Sequence, residues 1–178
     1  MAKPPLNPWR DAVLLSQVAR APVQRRISPD PSQLSAIART IGVDRLDALE
    51  ANVSASSWMD GAEVRGRFTA QVVQTCGVTL EPLELAVSGD FLLRLLPPGS
   101  PNLPANDEDS DVDPEADDPP EALEGEEIDL AAYVVEHLAL EIDPFPRKPG
   151  AVFEPSQEED ETSPFAALRR LKQDDAPG

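Results

Sequence analysis

The chain has one histidine and one cysteine, which limits from the outset any chemistry that needs either. A general base needs an ionisable partner and a cleft. His137 instead falls seven residues after Leu130 on an apolar helical stripe, so a packed or partly exposed structural role is favoured. Cys76 closes a strand at Thr75-Cys76-Gly77, where the local sequence offers no cation to lower its pKa. A buried or turn-lining thiol is favoured there over a nucleophile. A single cysteine also excludes an internal disulfide and a multi-cysteine zinc site. Neither Gly-x-Gly-x-x-Gly nor a Gly-Lys-Ser/Thr ending is present, so no phosphate loop is expected. Asn52-Val53-Ser54 matches a glycosylation acceptor, but in a chain expected to remain in the cytoplasm the match is chance. Carboxylates are plentiful, yet most lie in solvated runs where nothing raises a pKa. No polar set converges on a pocket, so the expectation is a non-enzyme with no cofactor and no small-molecule substrate.

Basic residues carry more information. Arg25 and Arg26, with Arg20, flank the first structured segment; Arg65 and Arg67 line one strand face; Arg147 and Lys148 lie in a proline-bracketed turn. The plain reading is a solvated surface with local ion pairs. The sharper one is a small arginine-lined patch that touches RNA phosphates or the acidic face of a partner.

The elements that must position these residues read as follows. Asp30 can cap a helix, Pro31 suits its first position, Gln33 completes a capping box, and Gly42 supplies a left-handed stop. Leu34, Ile37, Ala38 and Ile41 recur on one face, which predicts a helix over 31–41. Leu49, Ala51, Val53 and Ala55 then alternate with polar residues, as do Val64, Gly66, Phe68, Ala70 and Val72, and then Leu83 to Leu95. Asp60-Gly61 marks the first hairpin and Glu81-Pro82 the next corner. Three antiparallel strands with one buried face are predicted, placing Arg65 and Arg67 on the opposite face. Asp129 caps a second helix carrying Leu130, Tyr133, Val134, His137 and Leu138, which Asp143-Pro144 ends. A short last helix is predicted from Ser163-Pro164, with Phe165, Leu168 and Leu171 inward and Arg169, Arg170 and Lys172 exposed. It is too short to hold alone and must dock or fray. The fold class is α+β, a small antiparallel meander backed by two or three helices.

Composition adds a charge division. The 178 residues hold 33 acids against 15 Lys and Arg, a net charge of −18, with 20 prolines. Residues 1–100 balance, and the whole excess lies beyond them. The run 107–127 holds twelve acids, no Lys or Arg and several prolines, which leaves too little apolar surface to offset the entropy of ordering it. A disordered acidic insertion is expected over 98–125, an acidic linker over 152–162 and a loose tail over 173–178, interrupting or following one domain spanning 8–172. The negative charge is therefore expected on chain that never packs. The insertion reads as a solubilising linker, or as a tether for a basic partner. No apolar run is long enough for a membrane span and no signal peptide is evident, so no membrane association is expected.

Val72-Val73-Gln74-Thr75-Cys76-Gly77-Val78-Thr79-Leu80-Glu81-Pro82-Leu83 resembles the signature of the YceD family, named for accumulation of large-subunit ribosomal RNA. A second match runs from Ile128-Asp129-Leu130 through Glu136 and on to Asp143-Pro144-Phe145-Pro146-Arg147-Lys148-Pro149-Gly150. A third is Pro164-Phe165-Ala166-Ala167-Leu168. The form is similar to alphaproteobacterial members, over roughly residues 8–172. Cys76, Glu81, Pro82, Asp129, Leu130, Glu136, Pro149 and Gly150 are structural residues of these motifs. Many members carry a C-x-x-C pair at the strand end and further cysteines near the C-terminus. Here the second position is Thr79 and the later cysteines are absent, so no metal site carries over. The resemblance implies a role in ribosomal RNA accumulation or large-subunit assembly, and no catalytic residues. Ribosomal RNA or a large-subunit ribosomal protein is the expected partner, with Arg147 and Lys148, then Arg65 and Arg67, as contacts. The alternatives are a hydrolase or nuclease acting on precursor RNA, and an acidic chaperone for a basic ribosomal protein.

Overall fold

Local capping, strand alternation and two reciprocal glycine–phenylalanine pairs account for most of the architecture. The computed structural model describes residues 8–104 and 118–152. In chain order these form β1 (Ala12–Leu14), α1 (Leu15–Val18), β2 (Val23–Ile27), α2 (Pro31–Ile41), β3 (Arg45–Trp58), β4 (Gly61–Thr75), β5 (Pro82–Leu96), β6 (Glu121–Ala122), β7 (Glu127–Asp129) and α3 (Leu130–Glu141). The five-stranded sheet has the order β2-β3-β4-β5-β6, and β1 pairs with β7 in a separate two-stranded sheet. The fold class is α+β, as the sequence predicts.

Helix α2 begins and ends where its local chemistry dictates. The Asp30 carboxylate accepts from the N–H groups of Ser32 (2.8 Å) and Gln33 (2.9 Å), and Gln33 Oε1 accepts from the Asp30 N–H (2.8 Å). Gly42 then takes φ +75°, and its N–H donates to the Ala38 carbonyl. In α3, Asp129 accepts from the Ala132 N–H at 3.3 Å, and the helix ends before Asp143-Pro144.

The meander β3-β4-β5 is antiparallel throughout. Leu49, Ala51, Val53, Val64, Phe68, Ala70 and Val72 are buried on one face, against Ile37 and Ala38 of α2 and Val134 and Leu138 of α3. Gly66 lies directly opposite Phe91, and Phe68 directly opposite Gly89. A Cβ at Gly66 would overlap the Phe91 ring, and one at Gly89 would stand 2.7 Å from the Phe68 ring. Each glycine makes room for the aromatic ring across from it. His137 of α3 stacks on Phe91, with centroids 4.4 Å apart and planes at 17°.

Four features differ from the sequence reading. The first hairpin is centred on Met59-Asp60 with Met59 at φ +51°, closed by Trp58 opposite Gly61, so Asp-Gly is not its central pair. Gly61 is required for space, because a Cβ there would strike the Leu95 carbonyl. Strand β2 pairs antiparallel with β3 at one edge, and β6 pairs parallel with β5 at Leu95 and Leu96, so the sheet is mixed. Finally, the segment expected to be disordered over 98–125 is packed at its C-terminal end. The Leu123 N–H donates to the Leu96 carbonyl at 2.8 Å and its side chain is buried. The β6 pairing and the buried Leu123 together hold this end of the acidic run against the sheet. The acidic core of that insertion, the linker from 153, the last predicted helix and the tail lie outside the described residues.

Candidate functional site

Strand alternation places Arg65 and Arg67 on the sheet face away from the helices, as expected. There they join Asn52 and Ser54 of β3 and Asp90 of β5 around a shallow depression of about 500 Å³. Arg67 lies opposite both Asn52 and Asp90, and it has no ion-pair partner among the described residues. Arg65 is bound to Glu63 at 2.8 Å, which also draws Arg94 at 3.6 Å. Arg26 of β2 faces the same way and pairs with Glu50 at 2.7 Å, an exposed contact that raises its pKa. Arg25 alternates to the other side of this edge strand, opposite Val53. Arg26 and Arg65 on this face are thus matched by neighbouring carboxylates, while Arg67 lies across from Asp90 without an ion pair among the described residues.

Arg147 and Lys148 belong elsewhere. Lys148 is held beside Cys76, at the far end of β4. Nine residues of strand separate Arg67 from Cys76, about 30 Å at ~3.3 Å per residue. The candidate contacts therefore do not form one site.

The family-motif residues build a clasp at that far end. The Cys76 N–H donates to the Glu81 carbonyl (2.9 Å), the Leu80 N–H to the Cys76 carbonyl (3.0 Å), and the Gly77 N–H to the Pro146 carbonyl (2.9 Å). Lys148 Nζ donates to Glu81 at 2.8 Å, which raises the lysine pKa and lowers that of the carboxylate. Cys76 is fully buried, and its sulfur accepts from the N–H of Lys148 (3.2 Å) and of Thr79 (3.5 Å). Donation from the Thr79 side chain, then from the Thr79 and Lys148 N–H groups, draws the thiol down to about 6 against the opposing effect of burial. The sequence reading seeks a cation and finds none; the thiol is buried as that reading favours, and it is drawn down by uncharged hydrogen-bond donors instead. Its donors include a loop 72 residues away, which no local pattern could reveal. Pro82 opens β5 opposite Thr75, Pro149 is exposed, and Gly150 turns the loop at φ +78°.

The charged surface that the sequence reading missed lies on β6, β7 and α3. Residues 118–143 hold nine acids and no Lys or Arg, and all of them are on described, structured chain. The expectation that the surplus negative charge sits only on unpacked chain is therefore overturned. Glu121, Glu124, Glu127 and Glu136 rim a depression of about 440 Å³ beside Tyr133. Burial, followed by the charges of Glu121, Glu136, Asp129 and Glu124, pushes the Tyr133 phenol up to about 12. Only Glu127 of this rim has an ion pair among the described residues, to Arg10. The available signal was Leu123, which is flanked by acids yet is the right type to anchor them. Among the described residues no group of His, Cys, Asp and Glu is arranged to hold a metal ion, and no helix is long and apolar enough to cross a membrane.

Comparison with known proteins gives a match to the family model described as large ribosomal RNA subunit accumulation protein YceD, over residues 64–172. That span contains β4 from Val64 onward, the clasp, the acidic face and the C-terminal segment with Pro164-Phe165-Ala166-Ala167-Leu168. No curated protein and no solved structure matches.

Proposed function

Because this chain belongs to the YceD family, whose name ties it to accumulation of large-subunit ribosomal RNA, we propose that it supports that accumulation by binding, without catalysis. The partner proposed is a basic protein segment of the assembling large subunit, received on the acidic face of β6, β7 and α3. The observation that carries this reading is the run of nine acids without a single Lys or Arg over 118–143, displayed on structured chain around Tyr133. A surface of one sign raises the local concentration of an oppositely charged partner and speeds its association. RNA contact is supported less well, because Arg26, Arg65 and Lys148 each already have a carboxylate within 2.8 Å, although Arg67 has no ion pair among the described residues.

Affinity capture from native lysate, at low and high salt and with and without nuclease, tests the proposal. The expected result is a basic large-subunit protein retained after nuclease treatment, released by salt, and lost with Glu121→Lys/Glu124→Lys. Capture that disappears with nuclease would transfer the contact to RNA and the arginine face. Conversion of precursor RNA by the purified protein, abolished by changing one acid of the folded core, would establish the nuclease alternative.

A further inference from the structure

Strand β5 is paired on its outer side only at Leu95 and Leu96, by the short β6. From Leu83 to Phe91, about 30 Å of strand, its outward backbone N–H and C=O groups have no partner among the described residues. The inward row changes character at this edge. Gln74, Val72 and Ala70 of β4 are buried, whereas Leu83, Leu85 and Val87 directly opposite them are only half-buried. Strand β5 thus carries the apolar alternation of a strand with neighbours on both sides, yet it lacks one of them here. Natural edges are ordinarily shortened, bulged, or guarded by Lys or Pro. The opposite edge follows that rule, since β2 is five residues long and carries Arg25 and Arg26. The β5 edge does not. Its pairing with β4 runs without a register shift, and between Pro82 and Arg94 it has no Pro, Lys or Arg. Arg94 itself is taken up by Glu63 at 3.6 Å and by the Trp58 ring at 5.3 Å.

We infer that this edge receives an extended segment of a partner protein, which adds a strand beside β5 and alternates apolar with basic residues. The backbone of β5 sets the conformation, because a row of free donors and acceptors at strand spacing is matched by another strand. The half-buried Leu83, Leu85 and Val87 set one face of the segment, where apolar side chains would pack against them and cover them. Charge sets the other face. Glu84 and Asp90 are exposed on the opposite side of β5, and neither forms an ion pair among the described residues. Lys or Arg directly across from them would supply the missing countercharge. A second copy of this chain suits the edge poorly. It would bring a like net charge of −18 and a second α3 over a strip where Glu141 already stands against Gly89 and His137 on Phe91. The inference shares with the proposed function only the basic sign of the partner, and it rests on different residues.

Amide exchange of the full chain with a defined probe reads the pairing directly. The probe is a capped peptide of alternating valine and lysine, as long as the free edge, and its control is the same peptide methylated at every backbone nitrogen. In the protein alone, the outward amides of 83–91 should exchange rapidly. With the peptide at about ten times its dissociation constant, the unbound fraction falls to about one eleventh, so these amides should slow about tenfold. The methylated peptide keeps the charge but loses the donors, and it should not slow them. The slowing should persist in Glu121→Lys/Glu124→Lys. It should be lost, at the same peptide concentration, in a Leu85→Lys/Val87→Lys protein shown to melt like the parent; the methylated peptide makes the corresponding test without altering the protein. Outward amides already slow in the protein alone, slowing confined to 121–136, equal slowing by the methylated peptide, or no slowing at millimolar peptide would each overturn the inference. None of these outcomes depends on the lysate capture, so the two readings fail separately.

Discussion

Replacing Gly66 by alanine tests the packing that orients the whole sheet. In a strand interior, Gly→Ala ordinarily stabilises by about 0.5–1 kcal/mol, because alanine restricts the unfolded chain more and packs better. Here the added methyl would overlap the ring of Phe91, which is directly across the strand pair, buried, and stacked under His137. The ring cannot simply swing away, since α3 lies on its other side. Overpacking of this kind costs about 1–3 kcal/mol, and the absence of free space places Gly66→Ala in the upper half of that range. For a chain of this size the melting temperature should fall by roughly 5–8 °C. Urea unfolding should give a lower midpoint at unchanged slope. Adding Phe91→Leu should restore part of the loss, with a coupling of about 1 kcal/mol in the double-mutant cycle. A Gly66→Ala protein as stable as the parent, or more stable, would refute the reciprocal glycine–phenylalanine packing and with it the assignment of the helix-covered face.

Three further outcomes follow from particular residues. Leu123→Ala should destabilise by about 2–4 kcal/mol as a buried leucine truncation, whereas an effect near zero would mean that 118–125 does not pack. The Cys76 thiol, drawn down to about 6 from its ordinary 9.0, contributes stability that is complete above the unfolded value and is lost as pH falls through the folded one. Parent minus Cys76→Ala stability should therefore rise with pH between about 6 and 9, and a flat difference would count against the hydrogen-bonded thiolate. Tyr133 is the only tyrosine, so ultraviolet titration of the folded protein reads it alone. Its midpoint should lie near 12 and fall part-way in Glu121→Gln/Glu136→Gln, with burial sustaining the remainder; a midpoint at the ordinary 10 would contradict the acidic setting.

The elements legible in sequence were those whose signals are local. Asp30, Pro31, Gln33 and Gly42 lie within thirteen residues of one another, and the structure uses each as expected. Alternation in β3, β4 and β5 was equally visible, because period two needs only one strand to be read. Pairings across long separations left no such trace. Strand β1 meets β7 through Ala12 opposite Asp129, more than a hundred residues apart, and two- or three-residue strands carry no periodicity. The Lys148 part of the Cys76 setting was hidden for the same reason, although its larger donors come from Thr79, three residues away. The charge argument failed at its boundary. Composition averaged over 107–127 predicts solvated chain, whereas Leu123 is buried near its end and α3 continues the acidic surface on helical backbone.

The claim that the structured acidic face acts in ribosomal RNA accumulation is tested most directly by replacement in a cell depleted of the native protein. Mature large-subunit RNA is measured with the parent chain, with Glu121→Lys/Glu124→Lys, and with Arg65→Ala/Arg67→Ala, each first shown to melt like the parent. The account predicts that the parent and the arginine variant restore the RNA and that the acidic-face variant leaves it depleted. Full restoration by the acidic-face variant would contradict it.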